Sequence, residues 1–346
     1  MTKTNNDTRT AAAPWRAGLI AEADEAPRYA DAVRACPALE LCAQAVMPQN
    51  AAPAGVQWFD DTRVLIAQSG IEALVIAMSP RVGVETGDLA VAHGVHVWRQ
   101  PPLARNFAEA IEVARRLQTV EVVYRVASWW DHVGEDVRWA LDFEPRCEPV
   151  FSDVQVGAVG PPLTSWRSSQ VDAGGGVLAY DAYGPLEALS ALRGLPESVA
   201  GALGRCRRRA SEAPRETEDV VNALLRYDAG LALVRATWDI PPFDQTTHHH
   251  GSETSVRHSA SSVAVLAANG SVRQERPLPA GFLAAEMARF AAEISREGRR
   301  GPRGASLDRH LTVSALLEAT YLSSRTGQPE IPRRLFEAQK WPEPEG

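Results

Sequence analysis

Lysine is almost missing from this sequence. Of its 36 basic residues only Lys3 and Lys340 are lysines, so residues 4–339 hold no primary side-chain amine. A guanidinium stays protonated at neutral pH, so the remaining basic residues cannot replace a lysine as a proton acceptor. Cysteine is also scarce. Cys36, Cys42, Cys147 and Cys206 are scattered and form no CxxC pair. That excludes a disulfide framework or a cysteine zinc site and suits buried thiols in a reducing compartment. No apolar run is long enough to span a bilayer. The opening "MTKTNNDTRTAAAP" has neither an apolar core nor twin arginines, and reads as a disordered tail over 1–14 and not as a signal peptide. A cytoplasmic protein is expected. The formal net charge of −7 argues against nucleic acid or an anionic membrane as partner.

What is present is ordinary globular material: 346 residues, 45% hydrophobic and 23% charged, a length that suits two domains. From Trp15 to about Thr119, short apolar runs alternate with amphipathic ones. "RAGLIA", "LELCAQAV", "IEALVIAM" and "VHVW" read as buried strands. "PRYADAVRAC", "DDTRVLIAQS" (capped by Asp60 or Asp61), "VETGDLAVAHG" (closed by Gly94) and "NFAEAIEVARRLQ" (started by Asn106) read as helices. This rhythm predicts parallel βαβ units, that is, a Rossmann-like doubly wound sheet over 15–119. Beyond it, extended segments with turn signals at Asp228-Ala229-Gly230 and Asn269-Gly270 predict hairpins. Helices at "GFLAAEMARFAAEISREG" and "LDRHLTVSALLEATYLSSRTG" close the chain. The fold class is therefore α/β with a second, α+β domain over 120–332 built on a large, mostly antiparallel sheet, and a tail over 333–346.

The segments "IEALVIAMSP", "AVAHGVHVWRQPPLARNFAEAIEVARRL", "AGGGVLAYDAYGPLEALSAL", "ALLRYDAGLALVRATW" and "ALLEATYLSSRTGQPEIP" run through most of the chain. Through them, from about Trp15 to Pro332, the sequence resembles the Gfo/Idh/MocA family of NAD(P)-dependent sugar and cyclitol oxidoreductases. The resemblance implies NAD or NADP as cofactor, a sugar-like ligand and an oligomer, homo- or hetero-, formed through the C-terminal sheet.

Laid on the family's motifs, the functional residues differ one by one. The glycine fingerprint falls on Ala21, Ala23 and Ala26 in "AGLIAEADEAP", with its spacing intact. The second glycine normally lets the backbone approach the pyrophosphate, and the third lets helix and strand pack closely. A methyl group at Ala23 stands where phosphate oxygens would lie, and Glu22, Asp24 and Glu25 bring like charge to a helix N-terminus that is normally an anion site. At ~6 Å each carboxylate repels a phosphate charge by about 0.7 kcal/mol in bulk water and about 3 kcal/mol at an effective dielectric of ~20. The position of the ribose-binding acid falls on Val46. The Glu-Lys-Pro motif falls on Gln100 and Pro101, flanked by Arg99 and Arg105. The Asp/His pair, counted from Gly174-Gly175-Gly176, falls on Tyr180 and Gly184, with Asp181 one residue late.

Two functional readings follow. In the first, the scaffold has lost hydride transfer at all four motifs and serves as a pseudoenzyme, either a non-catalytic subunit or a binder of a sugar-like ligand. In the second, a divergent oxidoreductase acting on a sugar, cyclitol or related polyol holds NAD(P) through Ser79, Gln100 and backbone amides and uses Tyr180, Asp181 or Tyr183 as acid/base. A phenol in that role needs a cationic neighbour to lower its pKa from ~10. A lyase or isomerase acting on a sugar acid is a third possibility. Outside the motifs, "TTHHHGSETSVRH" reads as a solvated loop or interface segment, where at most His248 and His250, with His258 as a distant third, could share an ion. No metal site is expected. Arg205, Arg207, Arg208 and Arg209 read as an exposed strand face, and His93 and His96 as capping or core residues.

Overall fold

The computed structural model describes residues 13–47, 55–143, 145–205, 215–296 and 304–343. The first part alternates as the apolar pattern requires. It comprises β1 (Trp15–Glu22), α1 (Ala26–Arg34), β2 (Leu39–Met47), β3 (Gln57–Trp58), α2 (Thr62–Gln68), β4 (Ala73–Ala77), α3 (Pro80–Ala92), β5 (His96–Arg99), α4 (Phe107–Leu117) and β6 (Tyr124–Val126). The six strands are parallel in the order β3-β2-β1-β4-β5-β6. β4 is apolar and buried at every position, as a strand covered on both faces must be. Local chemistry sets the helix ends. Asp61, not Asp60, accepts the Arg63 amide at the start of α2, Ser79 caps α3, and Asn106 caps α4. The chain leaves α3 through Gly94 at φ +72°, a conformation open to glycine. The order of strands reverses between β1 and β4, so the carboxyl ends of these two strands frame the crevice where such sheets bind ligands.

The second sheet has eight strands in the order β14-β13-β12-β11-β7-β10-β9-β8. Its elements are α5 (Trp130–Asp142), β7 (Phe151–Ala158), α6 (Gln170–Ala173), α7 (Val177–Tyr180), α8 (Tyr183–Arg193), β8 (Ser198–Gly204), β9 (Val220–Tyr227), β10 (Gly230–Trp238), β11 (Gln245–His250), β12 (Thr254–Ser259), β13 (Ser262–Ala267) and β14 (Val272–Pro277). Only β10 and β7 pair in parallel; the other neighbours are antiparallel, including the hairpins expected at Asp228–Gly230 and Asn269-Gly270. One face packs on α7, α8 and a long C-terminal helix, α10 (Gly304–Thr326). One edge is closed from inside. The outward amides of β8 donate to Glu330 O at 2.8 Å from Val199, to Ser323 Oγ at 3.0 Å from Gly201 and to Ser324 Oγ at 3.2 Å from Leu203. The other edge, β14, is exposed throughout and carries Arg273, Glu275, Arg276 and Pro277, residues that discourage strand addition.

Three expectations are corrected. The parallel sheet does not stop near Thr119: β6, within the strand-like "VEVVYRVASWW", hydrogen-bonds to β5 and belongs to the first sheet and not to the second domain. Helix α9 (Phe282–Ser295) also returns to this sheet, where Met287, Phe290 and Ala291 pack with Leu19, Tyr29 and Trp98. The segment 333–346 is not simply a tail. Pro332–Gln339 form α11, and Phe336 is fully buried, edge-on to Phe107 with ring centroids 4.8 Å apart. The histidine stretch is not a loop either: it forms β11 and β12, and strand alternation puts His249 and His258 on the buried face and His248 and His250 on the open one. Residues 206–214, which include Cys206 and Arg207–Arg209, and residues 1–12 lie outside the described residues.

The two sheets are tied by a buried ionic cluster. Arg125 of β6, almost fully buried, reaches Glu286 at 2.9 Å and Glu293 at 2.6 Å on α9, and Asp131 at 2.9 Å on α5. Asp131 in turn accepts from Arg309 of α10 at 2.6 Å. No described helix is long and apolar enough to cross a membrane.

Two outcomes are expected from this architecture. Phe336→Ala leaves a cavity between α4 and α11 and should cost about 3–5 kcal/mol in urea unfolding, whereas an unstructured tail would show no change. The second concerns His258, whose buried ring stacks on His249 at 5.5 Å and whose pKa burial drives from 6.5 to about 4. The unfolded chain therefore takes up this proton first, so the stabilisation is complete above pH 6.5 and is lost as pH falls toward 4. Glu187 and Glu218, pushed up to about 7 by burial, act in the opposite sense and are common to both proteins compared. Urea midpoints of His258→Gln measured across that window should fall less steeply than those of the parent, by up to about 3 kcal/mol. Parallel curves would mean that the folded ring already carries the proton.

Candidate functional site

The crevice at the carboxyl ends of β1 and β4 is where the sequence motifs converge. Its first wall is the turn between β1 and α1. The methyl groups of Ala21 and Ala26 are buried in the core that α1 shares with the sheet, and Ala23 is half-buried at the turn. Pro27 occupies the first turn of α1 and has no N–H, while the N-cap residue is Glu25. A helix end that usually offers amides to an anion thus has one donor fewer and a carboxylate of its own.

Those carboxylates are already engaged. A single 3-10 turn, Trp166–Ser168, crosses the crevice from the second domain. Ser165 Oγ donates to Glu22 at 3.4 Å, and the Trp166 amide donates to the same carboxylate. The Arg167 guanidinium lies 3.7 Å from Glu25 and packs 5.4 Å and 5.7 Å from the ring centroids of Trp166 and Tyr180. Glu25 also pairs with Arg28 one turn along α1. Burial, followed by the neighbouring Asp24, raises the pKa of Glu22, and the Trp166 amide and Arg167 oppose that rise. The protein therefore supplies both the anions and the cation at the place where a pyrophosphate would bring the negative charge. These residues do not fit a dinucleotide held in the usual way.

The other motif positions are likewise occupied by internal bonds. Val46 is buried at the end of β2, so no carboxylate stands at the ribose position. Ser79 is spent on the cap of α3, where its Oγ accepts the Val82 amide at 3.3 Å. Gln100 accepts a hydrogen bond from Tyr29 at 2.8 Å and donates to Met78 O at 3.0 Å. Arg99 is buried and donates to Tyr124 OH at 3.3 Å and Pro102 O at 3.1 Å, and Arg105 is clamped by Glu109. Neither arginine faces a group whose proton it could take.

After the glycine run the chain forms two successive helices, α7 and α8. Tyr180 ends α7 and Tyr183 starts α8, with Asp181 between them. The Tyr180 hydroxyl donates to Ala173 O at 2.7 Å, and burial holds its pKa well above 10. The fully buried Tyr183 hydroxyl shares a 2.9 Å hydrogen bond with His310 Nδ1, and its pKa is again far above the ordinary value. Asp181 accepts from the Trp238 indole at 2.6 Å, and burial raises its pKa even though that hydrogen bond and the charges of Arg167 and Arg28 pull it down. Asp181 is thus the one carboxyl among the three candidates, and burial raises its pKa above its ordinary value. At Gly184, the histidine position, a Cβ would sit 3.0 Å from the Trp129 side chain, which would have to shift by a few tenths of an ångström.

Among the described residues no three possible metal ligands come together. His248 and His250 stack at 5.7 Å on the open face, and His258 lies across the sheet from them. His93 caps α3 through Leu89 O and His96 accepts the Val123 amide, as expected of capping and core residues. Sequence reasoning missed Ser165, Trp166 and Arg167. They lie more than 130 residues from the turn that they cover, and "TSWRSS" has no local pattern that announces it.

No protein-family model and no curated protein matches the chain. Solved structures do. Levoglucosan dehydrogenase in complex with NADH and levoglucosan superposes with a TM-score of 0.76 at 19% identity, over 92% of this chain and 100% of that one. A variant of a 3-ketoreductase from Actinomadura kijaniata, in complex with TDP-benzene and NADP, gives 0.77 at 20% identity over 90% and 98%. An oxidoreductase from Agrobacterium radiobacter, in complex with NAD+, L-tartaric acid and magnesium, gives 0.72 at 16% over 93% and 100%. The chain has the fold of the Gfo/Idh/MocA-type NAD-binding oxidoreductases.

Proposed function

We propose that this protein uses the Gfo/Idh/MocA-type scaffold without the family's NAD(P)-dependent hydride transfer, as a non-catalytic subunit or as a binder of a sugar-like ligand. The observation that carries this reading is the contact of Arg167 and the Trp166 amide with Glu25 and Glu22. It places an internal ion pair against the turn that would hold a pyrophosphate. A dinucleotide entering here has to displace Arg167 and then face two carboxylates without it. The absence of lysine from residues 4–339 supports the same reading, because it leaves no ammonium beside Pro101. A cytoplasmic location agrees with the free thiols Cys36, Cys42 and Cys147.

A second reading keeps an active oxidoreductase of a sugar, cyclitol or related polyol. Its support is the bound NADH and NADP named for the similar structures, together with Asp181, a buried carboxyl of raised pKa beside Trp238. In this reading Asp181 holds or accepts the proton of the reacting hydroxyl, while Tyr180 and Tyr183 shape the pocket. For either reading a second copy is the expected partner. The helix-free face of the large sheet presents Leu224, 41% exposed, together with the half-buried Phe151, Leu231 and Leu233.

Titration of the purified protein with NADH and with NADPH, followed by tryptophan-sensitised fluorescence and calorimetry, separates the two readings. The first expects no binding below the millimolar range. Micromolar binding transfers support to the second, and Asp181→Asn should then lower turnover by two orders of magnitude or more while Tyr180→Phe changes it little. For the partner, light scattering should give at least twice the chain mass. Leu224→Arg should reduce that mass toward one chain, and a monomeric parent protein would end this part of the proposal.

A further inference from the structure

A separate cavity of about 950 Å³ opens on the other side of the glycine run, between the start of α4, α6, the end of β8, α10 and α11. Its size suits a small molecule. The charges on its wall are unequally committed. Arg105 is saturated: two of its nitrogens bind Glu109 and a third donates to Val171 O at 2.8 Å. Arg205 makes no ion pair or side-chain hydrogen bond among the described residues, and Arg325 meets only Glu318, at 3.5 Å. Glu318 shares its charge with the first turn of α4 through the Phe107 amide at 3.5 Å. Two guanidinium groups are thus loosely held where one carboxylate opposes them.

The floor adds little negative charge. Glu218 is buried, with Oε1 accepting from the Tyr321 hydroxyl at 2.9 Å and from the Leu178 amide at 3.2 Å, and Oε2 from the Gly176 amide at 2.8 Å. Burial raises its pKa to about 7 against these bonds, so near neutrality a large share of it carries a proton. Leu203 and Leu335 supply apolar wall beside these polar groups.

We propose that this cavity binds a small organic anion, a carboxylate or phosphate monoester on a body of about the size of one sugar, with its charge held by Arg205 and Arg325. Planar guanidinium groups suit both head groups through paired N–H donors. The site is distinct from the crevice at Ala21–Ala26: α6 and the Gly174–Gly176 turn separate it from Tyr180. It therefore does not depend on whether a dinucleotide binds.

Glucose, gluconate and glucose 6-phosphate share one body and differ in charge, which makes them the probes for calorimetric titration of the full chain at neutral pH. Gluconate or glucose 6-phosphate should bind, whichever is tighter identifying the head group, and glucose should bind at least about 10-fold more weakly. Arg205→Gln combined with Arg325→Gln should weaken the anion about 10-fold or more. Both side chains lie at the surface, and an unchanged unfolding midpoint without ligand verifies the fold of this variant. Glucose binding as well as the anions, no heat with any probe up to about 10 mM, or anion binding unchanged in the double variant would each overturn the proposal.

Discussion

The structure depends on one buried cation. Arg125 sits on the last strand of the parallel sheet, and its guanidinium meets carboxylates from α5 and α9 while Asp131 passes the contact on to Arg309 of α10. Glu286 is fully buried and also accepts from Trp98 at 3.3 Å and from Arg289 at 3.2 Å. Removing charge from water at such a depth costs several kcal/mol per ion, and only a complete set of partners repays it. Burial opposes the protonated guanidinium here, but the three carboxylates outweigh it and its pKa rises. The geometry requires arginine: three partners in three directions need a forked donor, which an ammonium does not provide in one plane. The cluster is also what makes the chain's path intelligible. The helices after the second sheet must return to the first, because Glu286, Glu293 and Arg309 lie on them.

The same preference for guanidinium explains the crevice. In a dinucleotide site the protein provides amides and the ligand provides the negative charge. Here the negative charge is covalent, in Glu22 and Glu25, and a side chain from the second domain neutralises it. The exchange is self-consistent. Once Arg167 lies over Trp166 and Tyr180, its charge lowers the cost of two acids at the turn, and those acids hold the 3-10 segment across the crevice. Ala23→Gly alone would leave this arrangement intact, because it removes a methyl group and not the ion pair.

Much of the fold was legible because it is written in short-range signals. Strand β4 is uniformly apolar, α1 places Ala26, Tyr29, Ala30 and Val33 at helical spacing, and Asn106 and Asp61 mark helix starts. What escaped was decided by tertiary contact. "TTHHHG" looks polar, yet the stacking of His249 on His258 and the Ser152 hydrogen bond make it a central strand pair. "PRRLFEAQ" looks like a polar terminus until Phe336 finds Phe107. In the site, the departures from the family's motifs at Ala21, Val46, Gln100 and Pro101 were readable residue by residue, because each motif position is local. Arg167 and the Glu218–Tyr321 pair were not, because their partners lie far away in the chain.

The glycine run shows how packing fixes one part of a segment more tightly than another. Gly174 adopts φ +77°, and a Cβ there would come within 2.3 Å of Arg105 O. At Gly175 a Cβ would meet the Tyr321 hydroxyl at 2.0 Å, and at Gly176 the Glu218 carbonyl at 1.9 Å. Gly174 is therefore demanded by packing against the first domain, and Gly175 and Gly176 by packing within the second, whether or not a catalytic pair follows them. Replacing Gly174 or Gly176 has to move backbone, and replacing Gly175 has to move the Tyr321 ring, whereas a side chain at Gly184 meets only the Trp129 side chain, at 3.0 Å. Hence the glycines of this segment are constrained by their contacts with Arg105, Glu218 and Tyr321 more tightly than Gly184 is by Trp129. A recognisable fold with an altered crevice is the physical result of that inequality.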